Sequence, residues 1–114
     1  MTEERESSFH GRAIQYLRSA VARHGGWVGT IPGGDRRVTR SPGYVRGTPD
    51  ILCVVFGEAW LIELKSVRGV VEPHQKAVHG DLERAGARVC IARSMPDLES
   101  IVRAISTRPT MRAA

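Results

Sequence analysis

Residues Gly47 to Lys65 read GTPDILCVVFGEAWLIELK. Two apolar runs rich in β-branched and aromatic residues flank Gly57, the pattern of a β-hairpin. A two-residue turn at Gly57-Glu58 sets Phe56 opposite Ala59, Val54 opposite Leu61, Leu52 opposite Glu63 and Asp50 opposite Lys65. Side chains alternate between faces along a strand, so Asp50, Glu63 and Lys65 project from one face near one end of the hairpin. Glu63 and Lys65 share that face whatever the register. The other positions are apolar on both faces, which predicts two central strands buried on each side. Carboxylates entering such a sheet are costly unless positive charge sits between them. Lys65 can supply it, and so can a divalent cation.

Upstream, ERESSFHGRAIQYLRSAVARHGG predicts a helix ending at Gly25 and Gly26, with Phe9, Ala13, Leu17, Ala20 and Val21 as its apolar stripe. At about 100° per residue Glu6 falls in the middle of that stripe. Glu3 and Glu4 are close by and do not. WVGTI is a candidate short strand. The run PGGDRRVTRSPGYVRG is long for a structureless connection, so it is either functional or disordered. Downstream, PHQKAVHGDLERAG predicts a helix with Pro73 in its first turn and Gly86 at its end. Gln75 lies in line with Val78 and Leu82 on its inward stripe. ARVCIAR predicts a strand. SMPDLESIVRAIS predicts a last helix, capped by Ser94 with Asp97 and striped by Leu98, Ile101, Val102 and Ile105. The fold class is therefore α/β, a small mixed β-sheet flanked by helices in the order α-β-β-β-α-β-α. One domain is expected over residues 1–106, with 107–114 as a frayed tail.

The chain has 114 residues, of which 41% are apolar, enough for one core without disulfide or metal staples. Its two cysteines, Cys53 and Cys90, sit inside apolar runs and read as buried free thiols. No zinc-type spacing is present. The N-terminal MTEERESS is no signal peptide, and no apolar run approaches the roughly 20 residues of a membrane span. An intracellular, cytoplasmic location follows as the expectation, inside the host cell if a phage encodes the chain. The net charge of +5 favours an anionic partner such as nucleic acid. Lys65 and Lys76 are the only lysines. A compact ammonium of tunable pKa is something arginine does not provide.

If the two helix starts and the hairpin end converge, one site holds Glu6, Asp50, Glu63, Lys65 and Gln75. Three carboxylates and a lysine suit a hard cation such as Mg²⁺. The string TPD followed after a short strand by ELK looks like the PD-(D/E)xK nuclease signature. With the glycine before it, the helix glutamate and the later PHQKA glutamine, the chain resembles the VRR-NUC family from Glu6 to about Ile105. The resemblance implies a restriction-endonuclease-like core and Mg²⁺-dependent phosphodiester hydrolysis, with Mn²⁺ able to substitute. It also implies a Holliday-junction resolvase-like activity on DNA and a homodimer, as in the small stand-alone members. By position, Asp50 and Glu63 match the metal ligands, Lys65 the motif lysine, Gln75 the helix glutamine and Glu6 the first-helix glutamate.

On this reading the Leu64 carbonyl, between Glu63 and Lys65, is a further candidate ligand. Gln75 orients Lys65 or a water. Arg36, Arg37, Arg40 and Arg46 are the candidate phosphate contacts, Tyr44 a base-stacking candidate and His74 a phosphate contact at the helix start. His10, His24 and His79 read as surface or packing residues, and Trp27 and Trp60 as core. Each site group also has a structural reading: Asp50 as a turn cap, Glu63 with Lys65 as an edge ion pair, Gln75 and Glu6 as solvated first-turn residues. Two alternatives of other classes follow from those readings. One is an inactive nucleic-acid-binding module, the other a basic interaction protein. Within the nucleases, flap or duplex nicking without junction selectivity also stays open.

Overall fold

The computed structural model describes residues 6–31 and 42–107, with the side chains of residues 6 and 7 outside that description. The element order is α1 (Glu6–Ala22), β1 (Trp27–Thr30), β2 (Ile51–Val55), β3 (Glu58–Leu64), α2 (Pro73–Arg84), β4 (Arg88–Ala92) and α3 (Met95–Ser106). This is the expected α-β-β-β-α-β-α order. The strands form one mixed sheet, β1-β2-β3-β4, antiparallel at the first two seams and parallel at β3–β4. The residues named for a frayed tail beyond 107 lie outside the described residues. Among those described, no helix is long and apolar enough to cross a membrane.

α1 forms on its expected stripe. Phe9, Ala13, Leu17 and Val21 are buried, while Ala20 stays half-buried at the margin. The helix stops at Ala22, where Gly26 N–H returns to the Val21 carbonyl at 3.1 Å and Gly25 takes φ +75°. α3 starts where Ser94 Oγ accepts the Asp97 N–H, and it buries Leu98, Ile101 and Ile105. Both helices cover one face of the sheet, against Val28, Ile51, Cys53, Val55, Trp60, Ile62, Leu64 and Ala92. No residue of α2 belongs to this core. Fully buried Leu17, Ile62 and Leu98 are its anchors, and truncating one to Ala typically costs about 2–5 kcal/mol. Burial pushes both thiols up, Cys53 to about 12, so they stay protonated and inert.

The hairpin register differs from the expectation by two residues. Val55 pairs Glu58, Cys53 pairs Trp60 and Ile51 pairs Ile62. The turn is centred on Phe56-Gly57, both at positive φ (53° and 75°), as a tight right-twisted hairpin requires. A two-residue shift keeps every side chain on its face. The next step of the register sets Asp50 opposite Glu63, where Lys65 was expected. The expectation of two fully buried strands holds for β3 but not β2, whose Val54 is 41% exposed. The reason is coverage: α1 and α3 occupy one face, and the shorter α2 covers only part of the other. Trp27, expected in the core, lies on this open face and is 59% exposed, whereas Trp60 is buried.

Candidate active site

The open face carries the polar groups. Alternation places Ile62 and Leu64 in the core and Glu63 and Lys65 on the side of α2. Glu63 is buried, at 4% exposure. α2 reaches it with two side chains one helical turn apart: Gln75 Nε2 donates to Oε2 at 3.4 Å, and His79 Nε2 lies 3.3 Å from Oε1. The Gln75 amide is oriented by its other end. Its Oε1 accepts the Glu72 backbone N–H at 2.8 Å, which turns the NH₂ group toward Glu63. Gln75 was expected to serve Lys65 or a water; it reaches Glu63 because Glu63 stands under the first turn of α2.

His79 was read as a surface or packing residue and belongs here instead. It is buried, and burial lowers its pKa; Glu83 and Asp50 act in the opposite sense, while Lys65 reinforces the lowering. His79 is therefore neutral at pH 7, with Nε2–H donating to Glu63. Its spacing from Gln75, four residues and one turn along the same face, was the available signal.

Asp50 is held by the strand beside it. Its Oδ2 accepts the Leu64 backbone N–H at 2.8 Å, and its own carbonyl accepts the Ile31 N–H at 2.7 Å. Pro49 before it is fully buried. The approach is set by Gly47, at φ +99°, where a Cβ would stand 2.8 Å from the His74 carbonyl oxygen. Only a glycine lets this turn press on the first turn of α2. An extended residue points N–H and C=O to the same side. Leu64 N–H faces Asp50, so the Leu64 carbonyl projects on that side too.

Asp50, Glu63, Leu64, Gln75 and His79 are thus joined, with Lys65 beside them. Its stem passes Gly69 in the loop after β3, which Arg93 ties down by donating to the carbonyls of Ser66 (2.9 Å) and Gly69 (2.5 Å). Arg46 is exposed and Tyr44 half-buried in the segment leading to Gly47. His74, in the first turn of α2, is half-buried, and its carbonyl meets that glycine. Arg36, Arg37 and Arg40 lie outside the described residues, as does the side chain of Glu6, which opens α1.

The donor set decides which metal fits. Among the described residues no group of three or more His, Cys, Asp or Glu could hold an ion. Two carboxylates and a backbone carbonyl are hard oxygen donors. They suit Mg²⁺, which binds through one or two carboxylates and keeps water or substrate phosphate in its remaining positions.

No family model matches the sequence, and no curated protein matches it. Two solved structures do. One, a VRR_NUC domain, superposes with a TM-score of 0.62 at 24% identity, over 82% of this chain and 92% of its own. The other, a VRR_NUC domain protein, superposes with a TM-score of 0.71 at 14% identity, over 91% of this chain and 89% of its own. The chain therefore has the fold of these VRR_NUC domains.

Proposed function

We propose that the chain is a nuclease of the VRR-NUC family, a Mg²⁺-dependent enzyme that hydrolyses DNA phosphodiester bonds with selectivity for branched DNA, as a Holliday-junction resolvase does. The observation that carries this reading is that Asp50 and Glu63 share one sheet face one register step beyond the Ile51–Ile62 pair, with Asp50 held on the Leu64 N–H, in a chain with the fold of VRR_NUC domains. Asp50, Glu63 and the Leu64 carbonyl would hold Mg²⁺, with Mn²⁺ as a substitute and Glu6 as a further carboxylate. Bound there, the ion neutralises phosphate charge and lowers the pKa of a water.

The chain's own groups do the rest. Gln75 and His79 each take one oxygen of Glu63, so the carboxylate presents its remaining lone pairs in one direction. Leu64 N–H does the same for Asp50 through Oδ2. Lys65 offsets charge on the transferring phosphoryl group and orients the attacking water. Arg36, Arg37, Arg40 and Arg46 grip flanking phosphates, and His74 meets a phosphate at the start of α2. A homodimer would present two such sites to a symmetric four-way junction.

The test is cleavage of a labelled four-way junction and a matched linear duplex, each with Mg²⁺, with EDTA and with Asp50→Ala. Paired cuts on the junction alone, lost with EDTA and in the variant, are expected. Equal cutting of both substrates would remove the junction selectivity. A folded protein that cuts neither in Mg²⁺ or Mn²⁺ would leave a binding module.

A further inference from the structure

Trp27 is not where an apolar side chain of its size belongs. It sits on β1, on the same sheet face as Asp50 and Glu63, and is 59% exposed. It does not stand out from the sheet. A Cβ built on Gly29 would overlap the six-membered ring of the indole, and Gly29 itself is buried beneath it. The ring therefore lies across the strand, one π-face on the Gly29 backbone and the other turned to solvent.

The register fixes how far this surface is from the carboxylates. Gly29 pairs Leu52, which pairs Leu61, and the next row on that face is Asp50 with Glu63. Glu63 is one row along and two strands across, about 12 Å, whereas Asp50 is one row along and one strand across from Gly29, about 8 Å, from the spacing of residues and strands in a sheet. That is about the span of one nucleotide.

We infer that Trp27 is a stacking platform for an unpaired base of the DNA whose neighbouring phosphate lies at Asp50 and Glu63. The inference rests on the nuclease reading above and narrows its substrate to DNA with an unstacked base beside the cut. Bases inside an intact duplex are already stacked and do not reach the ring without being extruded. Flaps and forks offer such a base without that penalty, and the branch point of a junction, where stacking is interrupted, offers one at less cost. A flat, half-open indole suits any base, because every base has a π-face. The net charge of +5 favours the polyanion that carries it.

The exposed area argues against a second copy of the chain as the occupant. Trp27 and its cross-strand neighbour Val54, 41% exposed, leave on the order of 200 Å² open, given the size of an indole. A stable subunit interface needs about 800 Å² from each partner. Ile91, 40% exposed on the same face, lies on β4, with β3 between it and Val54 and both β2 and β3 between it and Trp27.

The experiment uses Trp27 as its own reporter, since the other tryptophan, Trp60, is buried under Arg88. A short oligothymidylate is titrated in EDTA while emission is followed, so cleavage is not involved. Labelled single strand and matched duplex are then bound to wild type, Trp27→Ala and Trp27→Phe, with sedimentation of each protein. Quenched emission is expected, with single-strand affinity about tenfold weaker in Trp27→Ala, a smaller loss on duplex and recovery in Trp27→Phe. Unquenched emission at saturation, or unchanged single-strand affinity in Trp27→Ala, overturns the platform. So does a wild-type dimer that Trp27→Ala splits into monomers with equal loss on both DNAs, since the face then belongs to a second copy. Failure of the nuclease reading looks different: quenching and the tenfold loss persist, but wild type with Mg²⁺ or Mn²⁺ cuts no DNA.

Discussion

Glu63 is a carboxylate at 4% exposure whose two helix partners, Gln75 and His79, are both neutral at pH 7. Burying such a charge is expensive even with good hydrogen bonds. Glu63→Gln keeps the shape and removes the charge. The expected result is a higher melting temperature in EDTA, equivalent to about 1–2 kcal/mol, together with loss of cleavage. Added Mg²⁺ should raise the melting temperature of wild type and leave the variant unmoved, because only an ion that binds the folded state shifts the midpoint. A variant that melts lower than wild type in EDTA would show that the charge is already well compensated. At this scale the sequence was legible for Asp50, Glu63 and Gln75, because each is polar in an apolar pattern. His79 was passed over because a histidine on a helix has many ordinary uses, and only its spacing from Gln75 marked it. Trp27 was misread because an aromatic residue in a strand is usually core, and what leaves it open is the incomplete cover of a distant helix.

The hairpin shows what an element can and cannot reveal in sequence. Its two strands, and the face shared by Asp50 and Glu63, follow from alternation alone. Its register does not, because the turn places Phe56 at φ 53°, where a bulky residue is rarely found. Phe56 packs against the core and its ring lies 5.2 Å from that of His24, contacts no local turn rule anticipates. The glycine ahead of Pro49 was visible as part of a motif, but its reason is the α2 backbone it touches. Gly47→Ala introduces a Cβ both at φ +99° and 2.8 Å from the His74 carbonyl oxygen. Destabilisation of about 2 kcal/mol is expected from such backbone strain, with at least a tenfold loss of cleavage as Asp50 is displaced. Melting curves and single-turnover rates on one substrate measure the two effects. A destabilised variant that cuts at the wild-type rate would mean that this turn does not position Asp50.

Among the described residues, two helices cover one face of the sheet and one covers part of the other, so the polar groups collect where cover is thinnest. The order of elements was readable from periodicity, but the division of helices between faces is a tertiary outcome. The positive charge is spread over arginines, several of them in the segment before Gly47. If that segment grips phosphates, DNA affinity should fall steeply with salt. Replacing Arg36, Arg37, Arg40 and Arg46 together by Ala should then flatten the log-affinity against log-salt slope by about 3–4 on duplex DNA. An unchanged slope would move the phosphate contacts elsewhere on the surface.

One feature of α2 reaches beyond the site. His79 is its buried residue, and the helix contributes nothing to the main core. Much of what docks it to the sheet is therefore the grip of Gln75 and His79 on a single carboxylate. Segments with little apolar anchorage open locally at a fraction of the global unfolding free energy. Docking of α2 and the hydrogen bonds that Glu63 accepts are then two readings of one equilibrium, and the exchange rate of the α2 amides with solvent deuterium tracks what Glu63 holds.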